Sequence, residues 1–162
     1  MISVSIPNER KAILIGKIGS TKEKIEKRTG TKITVADEIE IEGDWEKEPI
    51  AGEVVKAIGR GFSPSKALIL TQKDIFLDVI SLKGSPNTIK RLMSRVIGTS
   101  GKAESNMERY CSVSISVYGK TVSIIGSQDK NRLARTAVEM ILAGRMHNHA
   151  WRYLEGEING RD

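Results

Sequence analysis

The sequence predicts an α+β protein made of two copies of one unit of about 75 residues. The first observation is an internal repeat, because residues 14–35 match residues 96–117 at an offset of 82. The second is a set of short segments in which polar and apolar residues alternate, the pattern of β-strands. The third is a set of segments with apolar residues at helical spacing, bounded by proline or glycine.

The first unit reads as strand, helix, glycine loop, helix, strand, strand, helix. Pro7 favours the first turn of a helix, and Gly30 is the residue expected just after a helix. In KITVADEIEIEG, alternation points the isoleucines and Val35 inward and the glutamates toward water. The predicted elements are a strand at 3–6, helices over 9–14 and 22–29, a strand–turn–strand over 32–43, and a helix over 46–59 with Val54, Val55 and Ile58 on its apolar side.

The second unit repeats this order, and we expect the domains to be residues 1–72 and 73–162. Ser63 and Pro64 open a short helix in the linker over 59–70, and Pro86 opens a helix that reaches Ile97. The other predicted elements are a strand over 75–82, a helix to about Cys111, strands over 112–117 and 121–126, a helix over 129–143 that carries Leu133, Ala137, Val138, Ile141 and Leu142, and a last helix over 147–155.

The charge of the chain is positive and unevenly spread. The net charge of the 162 residues is +6 and the pI is about 9.5. Residues 1–36 carry eight Lys/Arg against three Asp/Glu, residues 37–53 carry one against eight, and residues 54–162 carry seventeen against nine. The two basic regions indicate an anionic partner without identifying it.

Composition argues against several classes of protein. Cys111 is the single cysteine, which excludes an internal disulfide framework and a zinc ribbon. His147 and His149 have no cysteine partners, so we assign them to a surface helix rather than to a metal site. No apolar run approaches about 18 residues and no signal peptide is recognisable. We expect a cytoplasmic protein without a membrane span, cofactor or metal.

The order of elements resembles the K-homology (KH) domain. An Ile-Gly-x-x-Gly core is followed six residues on by Ile25 or Met107, and then by a strand of the form Ile-x-Val. A single Gly-x-x-Gly is weak evidence, but this whole pattern occurs twice and covers nearly the whole chain. The resemblance implies two tandem eukaryotic-type (type I, βααββα) KH domains plus a C-terminal helix.

In KH domains the glycine loop packs on the sugar–phosphate backbone of single-stranded nucleic acid. Absent side chains let the peptide approach, and the next helix offers N–H groups and the positive end of its dipole. Few aromatic residues, 4%, make base stacking a minor contribution. The resemblance implies RNA-binding residues Ile15, Gly16, Lys17, Ile18, Gly19, Lys22 and Lys32 in the first unit, and Arg95, Gly98, Thr99, Ser100, Gly101, Lys102 and Arg109 in the second.

The floor of the groove beside each loop is expected to be apolar. The candidates are Ile15, Ile18 and Ile25 in the first unit and Ile97 and Met107 in the second, although Ile25, Ile33 and Val35 fit the core better. The second loop is less positive, and Glu104 stands where the first unit has Lys22. We expect both units to bind RNA, against the alternative that a loop survives only as a turn in a scaffold.

Two further segments narrow the resemblance. The linker IGRGFSPSKAL and the last helix, with WRYLE, are similar to an archaeal KH-domain ribosome-assembly protein related to the eukaryotic partner-of-Nob (Dim-two-like) family. Both glycine loops are intact, which favours the archaeal branch. The resemblance implies binding near the 3′ end of 16S rRNA or its precursor, a role in rRNA processing by a PIN-domain endonuclease, and contacts with ribosome-assembly or translation-initiation proteins.

Three functions remain open at this point. The first is an RNA-binding assembly factor without chemistry of its own, or a general KH-type RNA-binding or scaffold module without a ribosomal role. The second is a nuclease or nucleotide hydrolase, which the sequence disfavours because the acidic residues alternate along a strand and Lys102 is followed by Ala103 rather than by Ser or Thr. The third is a protein-interaction module whose acidic strand binds a factor and leaves RNA to the second unit.

Overall fold

The computed structural model describes residues 1–160 and divides the chain into two compact units. The first unit is Met1–Leu77 and the second begins at Asp78, whereas the sequence places the division after residue 72. Ile75 lines a pocket with Ile50, so the segment after residue 72 packs with the residues before it.

The first unit contains seven regular elements followed by a 3₁₀ turn at Leu68–Thr71. They are β1 (Ile2–Val4), α1 (Asn8–Ile15), α2 (Ser20–Thr29), β2 (Lys32–Val35), β3 (Ile39–Glu42), α3 (Glu48–Gly59) and α4 (Pro64–Ala67). The sheet has the order β1-β3-β2 with antiparallel pairing, so β2 is an edge strand. This is the order of elements that the sequence predicts.

The alternation predicted for the first sheet is confirmed on its buried side. Ile33, Ile39 and Ile41 are buried against the helices, and Ile33 pairs with Ile41 across the two strands. Val35 is only half-buried, because it lies at the end of the edge strand. Among the glutamates, Glu40 is half-buried rather than free in water.

The second unit repeats the architecture and adds one long helix to its core. Its elements are β4 (Phe76–Ser81), whose first two residues precede the boundary, α5 (Pro86–Ile97), α6 (Lys102–Cys111), β5 (Ser114–Tyr118), β6 (Thr121–Gly126), α7 (Gln128–Leu142) and α8 (His147–Asn159). The sheet order is β4-β6-β5, with β5 at the edge. The C-terminal helix α8 is part of this core, since Ala150 and Leu154 are fully buried within it.

Local sequence signals account for several helix ends. The Ser85 hydroxyl accepts a hydrogen bond from the Thr88 N–H (3.2 Å), and α5 runs from Pro86 to Ile97 as predicted. Gly30 ends α2 with φ +65°, the left-handed C-cap that the sequence predicts. The last helix continues to Asn159, four residues beyond the predicted end.

Candidate nucleic-acid interface

Both glycine loops form the same tight corner between two helices. Gly16 has φ +74° and ψ −179°, and Gly19 has φ +73° and ψ +13°. The N–H of Gly19 donates to the carbonyl of Gly16 at 3.3 Å. Gly98 and Gly101 reproduce these angles within a few degrees, and their hydrogen bond is 3.2 Å long. The sequence repeat is therefore a repeat of backbone geometry.

The two positions of each corner require glycine for different structural reasons. A Cβ added to Gly16 would lie 2.8 Å from the Thr21 nitrogen, and one added to Gly98 would lie 2.8 Å from the Ala103 nitrogen. The first glycine is thus needed for the next helix to approach. A Cβ on the second glycine would meet nothing within 4 Å. The second glycine therefore provides the left-handed conformation and leaves its peptide uncovered.

Ile18, between the first pair of glycines, is in an unfavourable position on two counts. Its backbone is left-handed, with φ +55° and ψ +33°, which is rare for a β-branched residue. Its side chain is also 97% exposed, although it is a large apolar group. Ser100 has the same conformation at the equivalent position, with φ +54°. Strained residues of this kind are concentrated at binding sites.

A groove of about 410 Å³ lies beside the first corner. It is lined by Ile15, Gly19, Lys22, Lys32, Ile33, Thr34 and Val35. The groove thus brings together four residues that the sequence resemblance assigns to RNA binding, on two helix ends and the edge strand β2. Gly16, Lys17 and Ile18 form the adjoining corner itself, and Lys17 and Ile18 are exposed.

The charges of this groove are accessible. Lys17 and Lys32 are exposed, whereas the Lys22 ammonium lies 3.7 Å from Glu26 Oε1, one helical turn away. A partly exposed pair of this kind contributes little to stability. A polyanion could therefore replace Glu26 as the partner of Lys22 at small cost.

Glu26 is a residue whose role the sequence reasoning missed. Its Oε2 accepts a hydrogen bond from the Ile33 N–H at 2.9 Å and so joins α2 to the edge strand that walls the groove. In the second unit Glu108 Oε2 accepts from the Ile115 N–H at 3.2 Å. The signal was available, because both glutamates occur at the same offset of 82 as the glycines.

The second corner has the same shape and a different charge. At the positions equivalent to Lys17, Lys22 and Lys32 of the first unit, the second unit carries Thr99, Glu104 and Ser114. The formal charge at these positions therefore changes from +3 to −1. Lys102, the first residue of α6, is exposed and is the nearest lysine in sequence to this corner.

The two arginines assigned to the second site both contact other groups of the protein. Arg95 Nη2 donates to the Arg145 carbonyl at 2.7 Å and Nε to the Ile141 carbonyl at 3.4 Å, so the guanidinium caps the end of α7. Arg109 Nη2 donates to Asn106 Oδ1 at 3.2 Å. Each guanidinium has further donors, but both side chains have structural contacts that the sequence did not reveal.

Met107, which the sequence predicts for the floor of the second groove, belongs to the core instead, and Ile25 lies in the core, which its pattern favours over the groove. Ile25 and Met107 have no exposed surface, because each lies on the inner face of the helix that follows its corner. Ile15 and Ile97 are partly accessible. The apolar surface of the first groove is therefore supplied by Ile15 at the end of α1 together with Ile33 and Val35 of β2, two residues that the sequence assigns to the core.

The histidines and the acidic side chains form no metal-binding cluster within the described part of the chain. His147 Nε2 lies 2.8 Å from the Arg95 carbonyl oxygen. Between residues 1 and 160, no group of three or more His, Cys, Asp or Glu side chains is placed to hold a metal ion. The same residues include no helix that is both long and apolar enough to cross a membrane.

Comparisons with known proteins agree with this geometry. The model of the eukaryotic-type KH domain (KH-domain type I) matches residues 8–74 and 75–159. A KH domain-containing protein of Methanocaldococcus jannaschii is 40% identical over 164 residues, which cover 95% of this chain and 72% of that protein.

Three solved structures share the fold. Dim2p from Pyrococcus horikoshii is 41% identical with a TM-score of 0.87, covering 95% of this chain and 97% of that one. A protein of unknown function from Aeropyrum pernix is 38% identical with a TM-score of 0.92, covering 99% and 93%. The chain matched in a complex of a/eIF2α, aDim2p and rRNA from Pyrococcus horikoshii is 39% identical with a TM-score of 0.89, covering 96% and 92%.

Proposed function

The chain belongs to the eukaryotic-type KH-domain family, with one match in each unit, and on that premise we propose that it binds single-stranded RNA at its two glycine corners. The proposed role is that of a ribosome-assembly factor that acts near the 3′ end of 16S rRNA or its precursor, in the cytoplasm, without catalysis of its own.

The observation that carries the proposal is the strained and exposed residue between the glycines. Folding alone disfavours Ile18, since its backbone is left-handed and 97% of its side chain is in water. A ligand that covers this side chain would offset both costs. The same backbone recurs at Ser100, which argues for a requirement of the corner rather than an accident of one loop.

The groove supports single-stranded RNA as that ligand. Its edge strand and helix ends leave an open channel of about 410 Å³, which suits unstacked bases rather than a duplex. Lys17, Lys22 and Lys32 supply positive charge for the phosphates, and Ile15 supplies an apolar surface for a base.

The ribosomal part of the proposal rests on relatives. One of the similar structures is a complex of a/eIF2α, aDim2p and rRNA. We propose that this chain likewise binds small-subunit rRNA and a translation-initiation or assembly protein. The exposed Glu38, just before β3, and Glu42, at its end, are the surface we propose for a basic protein partner.

The test uses two matched double variants in the full chain. Lys17→Asp with Ile18→Asp changes the first corner, and Thr99→Asp with Ser100→Asp changes the second. Aspartate tolerates the left-handed conformation, so both variants should fold, which circular dichroism would verify. Binding is measured by fluorescence anisotropy with a labelled oligonucleotide from the 3′ end of 16S rRNA.

We expect each double variant to weaken binding at least tenfold and the combination to abolish it. Lys27→Asp is the control, since it makes the same charge change as Lys17→Asp at an exposed site on α2. If both double variants bind as tightly as the parent, the corners are not the site. If a scrambled oligonucleotide binds as tightly as the 16S rRNA sequence, the chain binds RNA but the ribosomal assignment is wrong.

The absence of catalysis is tested separately. We expect no cleavage when the purified chain is incubated with Mg²⁺ and end-labelled RNA under conditions in which it binds. If the parent cleaves the RNA repeatedly and the two corner variants do not, the chain is an enzyme.

A further inference from the structure

The second unit has a pocket on the side of its corner that faces α8. Its volume is about 200 Å³, and it is lined by Gly98, Thr99, Lys102, Ala103, Asn106, His147 and Trp151. This is several times the roughly 30 Å³ that one water molecule occupies in the liquid. It is smaller than the roughly 300–1,000 Å³ of sites for drug-sized ligands. The size suits one planar group.

This pocket is distinct from the groove beside the edge strand. In the first unit the groove is lined by Lys22 of α2, and Glu104 is the equivalent residue of α6. The pocket instead uses Lys102 and Asn106 of α6. At 3.6 residues per turn, these two project roughly 160° away from Glu104 around the helix. The groove and the pocket therefore flank the corner on opposite faces of the same helix.

The first unit has a depression in the corresponding place. Ser20, Thr21 and Lys24 line it, and they precede Lys102, Ala103 and Asn106 by the repeat offset of 82. The opposite wall differs between the units. In the first it is formed by Pro64, Ser65 and Leu68, and in the second by the rings of His147 and Trp151. The fold supplies the depression twice, and α8 gives the second an aromatic wall.

Contacts with neighbouring side chains fix the position of the Trp151 ring. The Trp151 ring is stacked on Tyr110, with the centroids 6.0 Å apart and the planes at 23°. Tyr110 in turn donates its O–H to Glu155 Oε1 at 2.8 Å, a hydrogen bond that raises the pKa of the phenol. The His147 ring also lies near Trp151, with the centroids 6.1 Å apart and the planes at 34°. A ring fixed in this way can receive a base with little loss of side-chain freedom.

The polar group of the pocket is also oriented. Asn106 Oδ1 accepts a hydrogen bond from Arg109 Nη2 at 3.2 Å, so the amide turns its oxygen toward the guanidinium. Its NH₂ group is then left to donate. Lys102, on the same face, is exposed and carries a charge suited to a phosphate. A ring surface, an N–H donor and an ammonium group are the elements of a nucleotide subsite.

We propose that this pocket binds the base of one nucleotide of the RNA strand, next to the nucleotides held in the second groove. The inference rests on the proposed RNA binding. It follows from continuity, because Gly98 and Thr99 belong both to the corner and to the pocket. A strand that crosses the corner reaches the pocket at its next residue. Asn106 favours a base that presents an oxygen or nitrogen acceptor.

The experiment uses Trp151 as its own reporter. The chain has two tryptophans, and Trp45 is 80% exposed, so Trp45→Phe leaves a single emitter without disturbing the core. The first corner is inactivated with Lys17→Asp and Ile18→Asp. A groove-length oligonucleotide of about four residues is compared with oligonucleotides extended by two residues at the 5′ or the 3′ end.

We expect anisotropy to detect binding of both lengths and Trp151 emission to be quenched by one extended oligonucleotide only. Trp151→Leu and Asn106→Asp should weaken that oligonucleotide about tenfold and leave the short one unchanged. Asn106→Asp keeps the shape and the contact with Arg109, and Asn87→Asp, at an exposed position of α5, controls for its charge. Thermal unfolding verifies that each variant folds.

The outcomes separate the two proposals. If the extended oligonucleotides bind without quenching Trp151, or if Trp151→Leu and Asn106→Asp bind them as tightly as the parent, the pocket is not a subsite while RNA binding stands. If no oligonucleotide binds to the second unit at any length, RNA binding at this corner fails and the pocket proposal fails with it.

Discussion

Replacing Ile18 by asparagine should stabilise the first unit. A left-handed conformation costs a residue with a Cβ about 1–2 kcal/mol, whereas asparagine adopts it readily. The side chain is 97% exposed, so its removal sacrifices almost no buried apolar surface. The net gain in the free energy of unfolding should be about 1 kcal/mol. If the first unit melts on its own, this corresponds to an increase of roughly 4–8 °C in Tm.

The assay is urea unfolding followed by circular dichroism, with two control variants. Ile13→Asn replaces an isoleucine that is 38% exposed, within the right-handed helix α1, where asparagine is a poorer helix former and covered apolar surface is lost, so stability should fall. Ser100→Asn changes the equivalent position of the second corner and should stabilise less, because serine is not β-branched.

The same variant also tests what the strain is for. If Ile18 contacts RNA, Ile18→Asn should weaken binding while it stabilises the fold, a trade typical of functional residues. An unfolding midpoint that does not increase, or that changes as for Ile13→Asn, would refute the claim of strain. An RNA affinity equal to that of the parent would refute the claim that the isoleucine is kept for binding.

Three further predictions concern the corner, the groove and the core. Gly98→Ala should destabilise by about 2 kcal/mol more than Gly101→Ala in urea unfolding, because its Cβ would meet the Ala103 nitrogen at 2.8 Å while that of Gly101 meets nothing; equal losses would contradict this reading. Lys32→Gln should make the slope of log K for RNA binding against log salt concentration shallower by about 0.7, the value for one phosphate of a single strand. An unchanged slope would show that Lys32 does not contact a phosphate. Burial raises the pKa of the Cys111 thiol to about 11 from an ordinary 9.0, so Ellman's reagent at pH 8 should react only after unfolding. Because only the unfolded thiol ionises between pH 9 and pH 11, the free energy of unfolding should fall as the pH rises through this range. Cys111→Val should lack this part of the decline.

The sequence predicts features whose causes are local. The start of α5 is determined by Ser85 and Pro86, and the end of α2 by Gly30, so these boundaries can be read from neighbouring residues. The corners are predictable for the same reason, because each depends on a four-residue segment that occurs twice. Alternation also predicts which isoleucines of β3 are buried.

Contacts between distant residues could not be predicted in this way. Arg95 reads as a free cation before a glycine loop, yet it caps α7 through the carbonyl of Ile141, 46 residues away. The sequence predicts that Met107 lines the second groove, yet the packing of α6 buries it completely in the core. The pocket between α6 and α8 forms because Trp151 lies close to Gly98 and Thr99. The periodicity of the sequence does not predict this contact.

The carboxylates of Glu26 and Glu108 also affect how the sheets meet other molecules. An uncovered sheet margin is a template on which a foreign chain can add a strand, and repeated addition leads to aggregates. At Ile33 and Ile115 the amide hydrogen needed for such an addition is already held by a glutamate of the preceding helix. A polypeptide that approached this margin would have to displace a negative charge to gain one hydrogen bond. The groove beside β2 can therefore stay open while the Ile33 amide is unavailable to an added strand.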